Sequence, residues 1–157
     1  MLQPGDTIPD LSAPDQNDQS LPLRQRLGAK GAVIYFYPKD NTPGCTVEAN
    51  DFQTLGAEFA AKGFTVIGVS KDSIKSHVSF CTKYNLQFTL LSDTDGALCE
   101  AFGAWQEKKN YGKVYMGIVR STFIVDGHGV VRKVYPSVKT AGHAAAVLGE
   151  VDRLSLA

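Results

Sequence analysis

The chain has 157 residues, the size of one domain able to bury a sizeable core, and its 16 basic residues balance 16 acidic ones for a net charge of zero. That balance leaves no electrostatic footprint for nucleic acid or an anionic membrane. No apolar run reaches the roughly 18 residues of a spanning helix, and Met1-Leu2-Gln3-Pro4-Gly5-Asp6 lacks both the basic and the apolar regions of an export signal. The expectation is a soluble, cytoplasmic, single-domain protein over 1–157 whose partner is small or weakly charged.

Taken in order, the chain alternates strand and helix patterns. After a lead-in rich in Pro and Asp, Ala32 to Tyr37 reads as a buried strand closed by Pro38, and a helix is expected from about Pro43 to Ala61. A strand at Phe64 to Ser70, a helix from Ser73 to Tyr84, a short strand at Thr89 to Leu91 and a helix from Gly96 to Phe102 follow. Lys108 to Lys113 reads as a polar loop. Ser121 to Val125 and Val130 to Tyr135 flank Asp126-Gly127-His128-Gly129, a hairpin signal, and a last helix covers Ala141 to Leu154. The alternation predicts an α/β protein with a central mixed sheet flanked by helices.

Three cysteines, Cys45, Cys81 and Cys99, are an odd and sparse set for a disulfide scaffold, so reactivity is the question. Cys45 stands in Thr42-Pro43-Gly44-Cys45-Thr46. Thr followed by Pro reads as a helix N-cap with Pro at the first helical position, which puts Cys45 in the first helical turn. Unpaired backbone N–H groups and the positive end of the helix dipole there favour thiolate, the nucleophilic form.

The order of elements resembles the thioredoxin fold, with Thr42 standing where a thioredoxin carries the first cysteine of Cys-x-x-Cys. With Pro38 the pattern becomes Pro-x-x-x-Thr-x-x-Cys, and Tyr37 to Thr46 is similar to the Q-type (bacterioferritin comigratory protein) branch of the peroxiredoxin family. The resemblance spans nearly the whole chain, through Pro4-Gly5-Asp6, Gly68 to Asp72, Leu91-Ser92-Asp93 and Arg120 to Asp126. It implies a thiol peroxidase acting on hydrogen peroxide and organic hydroperoxides, without a cofactor and without a metal. It also implies site roles: Cys45 as the peroxide-reactive thiol; Arg120, the Thr42 hydroxyl and the Gly44 and Cys45 backbone N–H groups as donors to the departing oxygen; and Pro38 as a shield for the sulfur.

Each residue also has a plainer reading. Thr42 can be a simple N-cap accepting from the Cys45 N–H, worth about 1 kcal/mol. Glu48, near a helix N-terminus, is accounted for by the helix dipole alone, although it can also orient Arg120. The second cysteine of the commonest Q-type pattern falls at Asn50 here, and a second subgroup of the family places it at Cys81. The resemblance therefore implies that Cys81 resolves Cys45 through an intramolecular disulfide, re-reduced by thioredoxin or a similar dithiol, in a monomer. Read from residues alone, Ile74, Val78 and Cys81 form a helical stripe that makes Cys81 a core residue, and Cys99 beside Leu98 and Phe102 is core too. Phe102, Trp105 and Tyr111 read as core aromatics, with a loop aromatic near the thiol that selects bulky hydroperoxides as the alternative, and His128 as a solvated turn residue. His77, His128 and His143 are scattered and no two cysteines have zinc-site spacing. A non-catalytic redox sensor using the same disulfide is the alternative from another class; a disulfide reductase is disfavoured because Thr42 replaces the thiol it needs.

Overall fold

The computed structural model describes residues 1–155. A short hairpin, β1 (Ser12–Pro14) and β2 (Ser20–Pro22), and a 3-10 turn at Leu23–Arg26 open the chain. Then come β3 (Gly31–Phe36), α1 (Pro43–Thr54), α2 (Gly56–Ala61), β4 (Phe64–Ser70), α3 (Ile74–Tyr84), β5 (Thr89–Ser92) and α4 (Ala97–Phe102). Two hairpins follow, β6 (Trp105–Asn110) with β7 (Lys113–Ile118) and β8 (Ser121–Asp126) with β9 (Val131–Tyr135), before α5 (His143–Ser155).

The central sheet has the order β5-β4-β3-β8-β9. It is mixed as expected: β3, β4 and β5 run parallel, whereas β8 is antiparallel to both β3 and β9. β3 is buried along its whole length because both of its faces are covered. Period-2 alternation then divides its side chains between two cores. Ala32, Ile34 and Phe36 join Leu98, Cys99, Phe102 and Phe123 on one face. Val33, Tyr35 and Tyr37 join Cys45, Phe52, Phe80, Leu90 and Val147 on the other, under α1, α2, α3 and α5.

Four expectations are corrected. The helix over Pro43 to Ala61 is two helices, broken after Thr54 where Leu55 leaves helical geometry ahead of Gly56, a poor helix former. The Lys108 to Lys113 loop is the tip of the β6–β7 hairpin, whose two turn residues Tyr111 and Gly112 both have positive φ. A tyrosine at that position hides the Asn-Gly signature by which such turns are recognised. Tyr111 itself is 98 % exposed instead of core, and Trp105 is half-buried under the Lys71 ammonium, 4.1 Å from its ring, while Phe102 is core. Finally, the buried face of α3 is carried by His77 and Phe80, with Val78 44 % exposed, so the apolar stripe through Val78 does not exist.

Candidate active site

The site is assembled where β3 ends. Tyr37 still pairs with β4 through its N–H to the Val69 carbonyl at 3.1 Å, Pro38 is exposed beyond it, and Asn41 turns the chain with φ 62° into α1. Thr42 is the extended N-cap residue and Pro43 takes the first helical position. The cap is not the expected one: the Thr42 hydroxyl makes no capping bond and instead donates to the Lys39 carbonyl at 2.9 Å. Its proton is therefore engaged inside the loop and its lone pairs are left to accept. The helix turns Cys45, Glu48, Ala49 and Phe52 inward at i, i+3, i+4 and i+7, seating Cys45 at 1 % exposure.

Arg120, just before β8, reaches this turn. Its Nη2 donates to Cys45 Sγ at 3.2 Å while Nη1 donates to Glu48 Oε1 at 2.7 Å. One guanidinium thus spans two groups four residues or fewer apart on the same helix, and its backbone is pinned by the Val138 N–H on the Arg120 carbonyl at 3.0 Å. Glu48 is 1 % exposed and bound to Arg120, so the helix dipole alone does not account for it. Burial pushes its carboxyl up to about 7 against the opposing pull of Arg120. Gly44 is required for closeness: a Cβ there would lie 3.3 Å from Arg120 Nη2.

Around this centre, Tyr35 stacks on Phe52 with ring centroids 4.8 Å apart. The buried His143, on α5, meets the Thr122 hydroxyl through Nε2 at 2.8 Å. Burial, then the charge of Arg120, holds His143 down to about 4, so it stands neutral beside the cation. Sequence spacing carried no signal for His143. Nor did it for a second buried histidine, His77, paired with Asp40. His128 is exposed in its turn, as read.

All three cysteines are free thiols. Cys81 lies in the last turns of α3, half-buried against the same core that holds Cys45. Burial, then the nearby Asp40 carboxylate, pushes its thiol up to about 11, so in the folded helix it is stored as a poor nucleophile. Cys99 is fully buried in the opposite core, its thiol pushed strongly upward by burial and Asp93. The structure therefore brings Gly44, Cys45, Glu48 and Arg120 together, sets Thr42 at the start of the same helix and Pro38 exposed after β3, and leaves Cys81 on α3.

The AhpC/TSA family model matches residues 4–134. The chain belongs to the peroxiredoxin family, in its Q-type branch. It is 54 % identical over 116 residues to peroxiredoxin Bcp of Xanthomonas campestris, covering 74 % of this chain and 72 % of that one. It is 44 % identical over 154 residues to peroxiredoxin Bcp of Bacillus subtilis, covering 98 % of each. The solved structure of the Xanthomonas campestris bacterioferritin comigratory protein, described for its alkyl peroxide reduction activity and trapped intermediate/ligand complexes, superposes with a TM-score of 0.90 at 43 % identity, covering 98 % of this chain and 99 % of that chain. This peroxiredoxin is accordingly a peroxidase on a thioredoxin-like fold. Among the described residues no helix is long and apolar enough to cross a membrane.

Proposed function

We propose that the protein reduces hydrogen peroxide and organic hydroperoxides through Cys45, with Cys81 resolving and thioredoxin or a similar dithiol restoring the pair. The observation that carries the reading is the guanidinium of Arg120 held by Glu48 with its second nitrogen on the Cys45 sulfur. A cation donating to sulfur stabilises a thiolate more than a thiol, because a charge-assisted bond is the stronger one.

The thiolate attacks the terminal peroxide oxygen; an S–O bond forms as the O–O bond breaks, sulfur is oxidised by two electrons, and the departing alkoxide or hydroxide takes a proton to leave as alcohol or water. Negative charge moves from sulfur to the departing oxygen, so donors must follow it. Arg120 is suited to this because its planar fork reaches beyond the sulfur, joined by the backbone N–H groups of Gly44 and Cys45 in the first helical turn, where intrahelical partners are lacking. With its proton committed to Lys39, Thr42 presents lone pairs that accept the O–H of the incoming peroxide and orient it. Pro38 borders this entry, and Gly44 leaves room for the guanidinium.

The second step joins Cys81 to the Cys45 sulfenic acid: an S–S bond forms, the S–O bond breaks, and hydroxide leaves with the Cys81 proton as water. Structures of the Xanthomonas relative carry serine at one or the other of two cysteines separated in sequence as Cys45 and Cys81 are, which supports this pairing. A dithiol then supplies two electrons and restores both thiols. Nothing in this cycle needs a second subunit or an oxidising compartment, in keeping with a monomer working in the cytoplasm. Peptide mapping after one equivalent of peroxide tests the pairing: a Cys45–Cys81 link is expected, and Cys81→Ser should react once, stop, and overoxidise. A Cys45–Cys99 link, or sustained turnover of Cys81→Ser with thioredoxin, overturns the resolving assignment.

A further inference from the structure

The loop that delivers Cys45 to α1 is fastened to the helix that carries Cys81 by a buried cluster with no part in the peroxide step. Asp40 Oδ1 accepts from the Tyr37 hydroxyl at 2.6 Å, and Oδ2 accepts from the Ser76 hydroxyl at 2.8 Å and lies 2.6 Å from His77 Nδ1. His77 Nε2 is 3.0 Å from the Leu91 carbonyl oxygen. A carbonyl only accepts, so Nε2 carries a hydrogen, and a further proton must occupy the Nδ1–Oδ2 contact. The two side chains are 0 % and 3 % exposed. The Asp40 N–H is anchored in turn on Asp72 Oδ2 at 2.8 Å. Asn41, next in the chain, accepts from Lys83 Nζ at 3.3 Å and from the Tyr84 hydroxyl at 3.2 Å. Asp40 thus grips the first turn of α3 and Asn41 the last, with Cys81 between them. Asp40, Asp72 and His77 are close enough to share a cation, but hydroxyl and backbone donors already occupy both carboxylates, so the cluster is built around a proton.

We propose that the Asp40–His77 pair is a latch that sets how often the Cys81 helix opens, making both residues positioning residues for disulfide formation; this rests on the reading of Cys81 as the resolving thiol. Unwinding α3 carries His77 and Ser76 away with the backbone, so each opening must first separate a dry, fully hydrogen-bonded pair from its carboxylate. While the latch holds, the Cys45 sulfenic acid waits, and a second peroxide can take it to the sulfinic state. The latch therefore divides oxidised molecules between disulfide and overoxidation. It leaves the first attack untouched, because no atom of the cluster is among the groups on the sulfur.

The test uses His77→Phe, which removes the Nδ1 contact, and Ser76→Ala, which removes one donor and keeps the pair. Hydrogen exchange of the reduced protein reads the latch without reference to any disulfide: α3 amides should exchange about tenfold faster in His77→Phe and about threefold faster in Ser76→Ala, with β3 and β4 unchanged. Rapid mixing with peroxide should show disulfide formation accelerated by the same factors, sulfinic acid reduced to match, and sulfenic acid formation within about twofold of the parent. Unchanged α3 exchange overturns the latch, and faster exchange with an unchanged disulfide rate overturns its control of resolution. If His77→Phe does not fold, Ser76→Ala decides both points alone. An intramolecular disulfide that persists in Cys81→Ser overturns instead the assignment of the resolving thiol, and peptide mapping separates that result from a failed latch.

Discussion

In the proposed mechanism Arg120 holds the Cys45 sulfur and Thr42 orients the peroxide, and their chemistry sets what substitutions should do. Thr42→Ser keeps the oxygen and should cost little, whereas Thr42→Val should slow the peroxide step at least thirtyfold, about 2 kcal/mol, with the melting temperature nearly unchanged because the hydroxyl caps nothing. A loss of threefold or less would leave the hydroxyl a mere loop fastener to Lys39. Arg120→Lys should be nearly as severe, since one ammonium cannot hold Glu48 and Cys45 together at 2.7 and 3.2 Å. Gly44→Ala approaches the same end from outside: its methyl would meet Arg120 Nη2 at 3.3 Å and displace the fork by a few tenths of an ångström. About a tenfold loss in the peroxide step is expected from the misplacement, read by competition against a peroxidase of known rate. Thr42 and Cys45 were legible because their spacing and helix-start chemistry are local, whereas Arg120, 75 residues from Cys45 in sequence, was reached only through the family resemblance. Glu48 was misread for a physical reason: a carboxylate near a helix N-terminus has two good explanations, and here α1 starts at Pro43, which puts Glu48 beyond the first turn and buried against Arg120.

Among the elements, α3 and the β6–β7 hairpin show where pattern reading succeeds and fails. The limits of α3 were visible in Ser73, which caps it through the Ser76 N–H, and in Asn85, which ends it with φ 53°. Its face was not visible, because the buried His77 and the half-buried Ser76 turn polar groups inward where an apolar stripe was sought; their partners are long-range, on Asp40. The hairpin was missed altogether because β6 is mostly polar and the turn carries Tyr111, φ 51°, in a region that tyrosine seldom adopts. That strain is removable. Tyr111→Asn, at an almost fully exposed position, should stabilise the protein by roughly 0.5 to 1 kcal/mol and raise the melting temperature by about 2 °C, with peroxidase activity unchanged. A lower melting temperature would mean that the tyrosine makes the turn's own stabilising contact.

At the scale of the whole molecule, two buried groups give stability opposing dependences on pH. The Glu48 carboxyl is raised from 4.5 to about 7, chiefly by burial, so between those values the native state keeps a proton that the unfolded chain has released, and stability falls as pH rises. His143 is lowered from 6.5 to about 4, again chiefly by burial, so in that window the unfolded chain holds the extra proton and stability rises with pH. The two effects oppose one another where the windows overlap. Relative to the parent, Glu48→Gln should gain stability as pH rises from 4.5 to 7, and His143→Asn should lose it over 4 to 6.5, seen as melting-temperature difference curves of opposite slope for the reduced proteins. Difference curves of the same sign would mean that one of the two groups is not buried in the state that melts.

The alternation of β3 has one more consequence. Because successive residues of that strand face opposite ways, Cys45 lies beneath one surface of the sheet with Tyr35 and Tyr37, and Cys99 beneath the other with Ile34 and Phe36. The sheet is in effect a bulkhead between two redox compartments inside a single domain. In the proposed cycle, oxidising equivalents arriving at α1 pass to α3 by fraying helices on their own side, but passing from Cys45 to Cys99 demands that hydrogen-bonded strands part. Exhaustive oxidation short of denaturation should therefore spare one thiol in every chain, and its late disappearance would report loss of the sheet itself.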